Sequence, residues 1–110
     1  MADANVDLLQ GTLDLLILKA LALGPLHGWA IAKRIQQMSK DVLTVGQGSL
    51  YPALYRMEER GYITSEPGVS AEGRRITLYT PTAAGRKQLA QKIETWESFA
   101  TAMRAVIRHA

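Results

Sequence analysis

Gln47, Ser49, Tyr51 and Arg56 lie close together in the stretch GQGSLYPALYRMEERGYI, residues 46–63, and carry amide, hydroxyl and guanidinium donors. Donors of these kinds bond phosphate oxygens; a Gln amide also pairs with adenine edges, and Arg suits guanine or phosphate. Gly46 and Gly48 stand among them and remove side chains where another backbone would come close. Two basic pairs, Lys33-Arg34 upstream and Arg74-Arg75 downstream, add positive charge. The chemistry open to this set is non-covalent: hydrogen bonding and charge pairing with a polyanion.

Bond-making chemistry finds little support. With no cysteine there is no thiolate nucleophile, disulfide framework or thiolate metal site. His27 and His109 stand far apart in the chain, so a shared metal site is not expected. Glu58 and Glu59 are consecutive and point to different faces of a helix, which makes no acid/base dyad. GQGS lacks the spacing and the lysine of a P-loop. No catalytic residue, metal or cofactor is expected.

The elements that must position the donors follow from periodicity. Leu50, Ala53, Leu54 and Met57 recur at i, i+3, i+4 and i+7, which predicts a helix with one buried face, ending at Gly61. Pro52 falls inside that stripe, where a missing N–H and a ring clash normally stop a helix. Near the helix start it costs less, and a local bend there would aim the start. With the stripe buried, Gln47, Ser49, Tyr51, Tyr55, Arg56 and Glu59 lie wholly or partly outside.

Upstream, Asp7 and Gln10 form a capping box before a helix with Leu9, Leu13, Leu16, Ile17, Ala20 and Leu21 on a wide stripe. Leu15, Leu18 and Leu23 fill the other side, so more than one neighbour must bury it. Gly24-Pro25 ends it. A second helix fits residues 27–38, with Ile31, Ile35 and Met38 inward and Lys33, Arg34 and Gln37 outward. Downstream the period changes to two: YITSE and RITLYT, joined by PGVSAEGR, predict a two-stranded hairpin that must lean on the helices. In its second strand Ile76 and Leu78 face one way, Thr77 and Tyr79 the other.

Thr82 caps a final helix over residues 82–109. Leu89, Ile93, Trp96, Ala100, Met103 and Ile107 recur there at heptad spacing. Such a rod is about 40 Å long, more than the preceding helices cover. A partner copy is the expected cover, with Leu9 and Leu13 of the first helix joining the seam. The fold class is mainly α with a small β-hairpin: a winged helix-turn-helix over residues 1–81 and a C-terminal dimerisation helix over residues 82–110, one structural domain overall.

Composition agrees. The chain has 110 residues, 47% of them hydrophobic, and a net charge of +3. Residues 27–87 hold nine basic and five acidic residues, so the positive excess is central. No basic segment followed by an apolar one opens the chain, and its apolar runs are too short to span a membrane. A bacterial cytoplasmic location is the expectation.

Three sites keep two readings. The segment 46–63 is either a recognition helix or an ordinary helix whose tyrosines meet a protein, as in a winged-helix interaction module without specific DNA binding. Lys33 and Arg34 serve either phosphate contact or solubility. Trp96 either fills a dimer core or, with its symmetry mate, walls a flat pocket for a small aromatic effector.

LLQGTLDLLILKALALGPLHGWAIAKRI, VGQGSLYPALYRMEERGYI and GRRITLYTPTAAGRKQL closely resemble the PadR family of bacterial transcriptional regulators, over about residues 7–100. The likeness is closest to the short subfamily with a single C-terminal helix. It implies a homodimeric winged helix, usually a repressor, whose third helix and wing bind a pseudo-palindromic operator in double-stranded DNA. It places Gln47, Ser49 and Tyr51 at the start of the recognition helix, Arg74 and Arg75 on the wing, and Trp96 at an inter-subunit ligand position. Pro67, Thr77 and Pro81 depart from the family's usual aromatic, basic and leucine residues, which bears on the wing and its contacts. Effectors vary across the family and none transfers.

Overall fold

The computed structural model describes residues 6–110, with side chains from Gly11 onward. Four helices and three strands follow one another: α1 (Val6–Leu21), β1 (Leu26–His27), α2 (Gly28–Met38), α3 (Gln47–Glu59), β2 (Ile63–Val69), β3 (Arg75–Pro81) and α4 (Ala83–Arg108). α1 packs against α2, α3, α4 and β3, which is why it is apolar on several sides. Its start at Val6 puts Asp7 inside the helix instead of at the expected cap, and the side chains of Asp7, Leu9 and Gln10 lie outside the described residues.

The core joins Ile17, Leu18 and Leu21 of α1, Ile31 and Ile35 of α2, Leu50, Ala53, Leu54 and Met57 of α3, and Ile63 of β2. All four stripe residues of α3 are buried, so the period-3.6 pattern sets which way its outer face looks. Truncating a fully buried leucine such as Leu50 to Ala costs about 2–5 kcal/mol. Met38, expected inward, is 52% exposed, because α2 ends there and the chain turns away. That turn places Lys40 (φ 55°) and Asp41 (φ 68°) in the left-handed region, with the Asp41 N–H bonded to the Gln36 carbonyl at 2.8 Å.

α3 stops in a Schellman motif. Gly61 takes φ 79°, its N–H bonds the Glu58 carbonyl at 3.0 Å, and the Tyr62 N–H bonds the Met57 carbonyl at 3.0 Å. The start of α4 is fastened to the same corner. Thr82 caps α4 by accepting from the Gly85 N–H at 3.0 Å, and its hydroxyl donates to the Gly61 carbonyl at 2.6 Å. Gly85 is buried against Tyr62 so closely that a Cβ there would meet the Tyr62 carbonyl group.

The expected two-stranded hairpin is a three-stranded antiparallel sheet in the order β1-β3-β2, with Leu26 opposite Tyr79 and His27 opposite Leu78. β1 has only two residues, too short for a period, and its pairing partner is distant in sequence. β2 runs further toward the tip than expected, to Val69, while β3 begins at Arg75 as expected and adds Pro81 at its far end; the pairing runs from Ile63↔Pro81 to Val69↔Arg75. β2 is an edge strand, where Pro67 lacks no needed donor. Gly68 leaves room for Leu78: a Cβ there would lie 2.6 Å from the leucine Cδ1. Tyr79 packs on the core, and Ile76 and Leu78 take the opposite face.

Candidate nucleic-acid interface

α3 begins at an open corner. Gly46 is its N-cap with φ −78° and no side-chain cap; its carbonyl accepts from Ser49 and Leu50 N–H at 3.1 and 3.0 Å. Gln47, Gly48 and Ser49 are exposed there. A Cβ added at Gly46 or Gly48 would meet no atom within 4 Å, and neither residue has a positive φ. Packing and backbone therefore do not require either glycine. Pro52 is accommodated within the helix, exposed and one turn in from this start.

Tyr51 is held in place, although 42% exposed. Its ring rests on Gly28 at the start of α2, and a Cβ at that glycine would stand 2.7 Å from Cζ and 2.8 Å from Cε1. Tyr51 and Arg75 line one groove of about 480 Å³ between α3 and the wing. Tyr79 lines it too, its phenol pushed above the usual range by burial first, then by Tyr51 and Glu58. Arg74 and Arg75 are both exposed at a closed tip. The Ser70 N–H bonds the Arg74 carbonyl at 2.8 Å, the Ser70 hydroxyl accepts from the Arg74 N–H at 3.1 Å, and Gly73 turns the chain at φ 84°.

Lys33, exposed on α2, shares a cleft of about 320 Å³ with Gln47 and Gly46. Its ammonium lies 4.9 Å from the Trp29 ring centroid. Arg34 is half-buried and lines neither this cleft nor the groove at Tyr51.

Arg56 is both tied inward and part exposed. Its Nη2 donates to Asp14 Oδ1 at 2.9 Å, while 32% of the side chain stays open in a groove it shares with Gly46, Gly48 and Ser49. Asp14 is only 7% exposed, and a buried carboxylate without a partner is costly. The pairing crosses 42 positions in the chain and leaves no local trace. Arg56 fastens α3 to α1. Tyr55 stays fully outside, its phenol raised by a hydrogen bond to Glu59 and then by that carboxylate's charge.

With the helix start, the wing and their geometry in place, comparison with known proteins decides the family. The Transcriptional regulator PadR-like family matches residues 17–91. This chain belongs to that family. A transcriptional regulator from Clostridium thermocellum has the same fold with a TM-score of 0.83 and 31% identity, over 93% of this chain and 99% of its own. A PadR family regulator from Clostridium difficile gives a TM-score of 0.72 and 29% identity, over 86% and 96%. Transcriptional regulator Rv3488 of Mycobacterium tuberculosis is 37% identical over 65 residues, which are 59% of this chain and 60% of that protein. The PadR-like chain is thus a winged helix-turn-helix transcriptional regulator, and its family consists of regulators, not enzymes.

The expected seam residues of this PadR-like protein divide. Leu13 and Leu89, expected at a subunit seam, pack against the subunit's own core. A heptad pattern tells which face is apolar, not which neighbour covers it. Ile93 and Ala100 are half-buried, while Trp96, Met103 and Ile107 are exposed at 40%, 45% and 72%. Phe99 escapes the heptad count, yet its ring lies 5.9 Å from that of Trp96. The two open on a groove of about 420 Å³ with Gly11 and Leu15 of α1 on its far side. Among the described residues no cluster of His, Asp or Glu could hold a metal, and no helix is long and apolar enough to cross a membrane.

Proposed function

We propose that two copies of this chain form a sequence-specific DNA-binding repressor acting on a pseudo-palindromic operator. The start of α3 enters the major groove, where Gln47, Ser49 and Tyr51 meet base edges and phosphates. Arg74 and Arg75 reach flanking phosphates or the adjacent minor groove, and Lys33 neutralises a phosphate beside α3. Residues 1–81 act as the reading head and residues 82–110 as the dimer rod. Ile93, Trp96, Ala100, Met103 and Ile107 meet the partner copy.

One observation carries the reading. Gly46 and Gly48 flank exposed donors at a helix start, and neither glycine answers a need inside the subunit. A sugar-phosphate strand approaching to van der Waals distance would supply that need, with the helix N–H groups pointing at its charge.

A gel shift on the chain's own upstream DNA tests it. A saturable shift surviving competitor DNA is expected. Gln47→Ala should weaken specific binding, whereas Arg74→Ala should lower affinity on all sequences and flatten the salt dependence. No saturable shift even at low salt would favour an interaction module instead.

The exposed Trp96–Phe99 pair favours a second reading of the same dimer: a small planar aromatic effector binds between the copies and releases DNA. Such a ligand must bind the DNA-free form more tightly. Fluorescence quenching by planar aromatic compounds, with a parallel loss of operator affinity, is the expected result.

A further inference from the structure

Trp29 stands in the first turn of α2 with 57% of its surface exposed, although the subunit has a core that takes other large apolar side chains. The ring is nonetheless ordered by its neighbours. His27 stacks against it with centroids 6.2 Å apart and planes 22° apart, and the Lys33 ammonium stands 4.9 Å from the ring centroid. Helix geometry explains the second contact, since Trp29 and Lys33 are i and i+4 on α2. His27 is the extended N-cap of the same helix and is tied into the sheet opposite Leu78. The three side chains are arranged before any partner arrives, which lowers the ordering cost of using them.

Their position is as informative as their order. On one side Trp29 and Lys33 share a cleft with Gln47 and Gly46 at the start of α3. On the other, His27 shares a groove with Tyr51 and Arg75. The cluster therefore stands between the helix start and the wing, on the helix that precedes the recognition helix.

We propose that Trp29, supported by His27 and Lys33, is a third duplex contact that grips the sugar-phosphate strand beside the groove that α3 enters. The indole N–H donates to a phosphate oxygen, the ring packs on a deoxyribose, and Lys33 neutralises a neighbouring phosphate. An indole offers one donor and no acceptor, which matches a backbone whose phosphates only accept. The first helix of a helix-turn-helix crosses that backbone. Such a contact positions the protein and carries no sequence information. The proposal rests on the DNA-binding reading above and adds a surface outside the recognition helix and wing.

The experiment compares the parent with Trp29→Ala and Trp29→Phe by gel shift on the upstream fragment and on an unrelated duplex, following tryptophan fluorescence during the titration. Trp29→Ala should bind about tenfold more weakly on both duplexes, and Trp29→Phe should fall between. The parent's fluorescence should change saturably where the band shifts, and Trp29→Phe should lack that component. Equal binding by all three proteins, with the fluorescence change kept in Trp29→Phe, overturns the contact and leaves the DNA-binding reading standing. A parent that shifts neither duplex overturns both. Thermal midpoints are read alongside; if Trp29→Ala unfolds early, the Trp29→Phe results decide.

Discussion

The ring of Tyr51 occupies the space that any side chain at Gly28 would need, so the absence of a Cβ on α2 sets where that ring lies. The contact joins the two helices of the helix-turn-helix at their outer ends. It also leaves Tyr51 part exposed in the groove it shares with Arg75.

Gly28→Ala should therefore push Tyr51 out of that groove. The expected outcome is about a tenfold loss of specific DNA affinity with little loss of stability, because the displaced atoms are the end of a part-exposed ring that can swing outward. Gel shift and thermal unfolding measure the two effects, and Gly28→Ala with Tyr51→Phe should not rescue binding, because the ring itself is displaced.

Arg56 and Asp14 should behave as a structural pair. Arg56→Ala leaves a nearly buried carboxylate unpaired and should cost about 2 kcal/mol of stability. Asp14→Asn with Arg56→Gln should lose less than the two single changes summed, which a double-mutant cycle in denaturant reads directly. Unchanged stability in Arg56→Ala, with lost DNA binding, would return Arg56 to the contact surface.

Glu59 should control the titration of Tyr55. The two largest causes of the raised phenol, the hydrogen bond and the carboxylate charge, both come from Glu59 and favour the neutral form, so removing the charge must lower its pKa. Glu59→Gln should move the Tyr55 ultraviolet titration to lower pH, with Tyr55→Phe identifying the signal.

How much of this was legible in the sequence depends on how far each feature reaches along the chain. The buried stripe of α3, its Gly61 stop and the Thr82 cap of α4 leave local signals, a period or a capping residue within a turn or two, and they stand as the pattern predicts. β1 was not legible, since two residues carry no period and their partner is Tyr79 and Leu78. The Arg56–Asp14 pair was hidden for the same reason. Leu13 and Leu89 show a different limit: the apolar face was readable, but not that the subunit's own core covers part of it. Trp29 carried no local sign of its place, because stacking with His27 requires the strand that precedes α2.

Hydroxyl-radical footprinting of the upstream region tests the central claim most directly. Two protected half-sites are expected, related by a dyad and centred about one helical turn, roughly 34–36 Å, apart. A single unpaired patch of protection, or uniform protection that competitor DNA removes, would contradict a dimer reading a pseudo-palindrome through the start of α3.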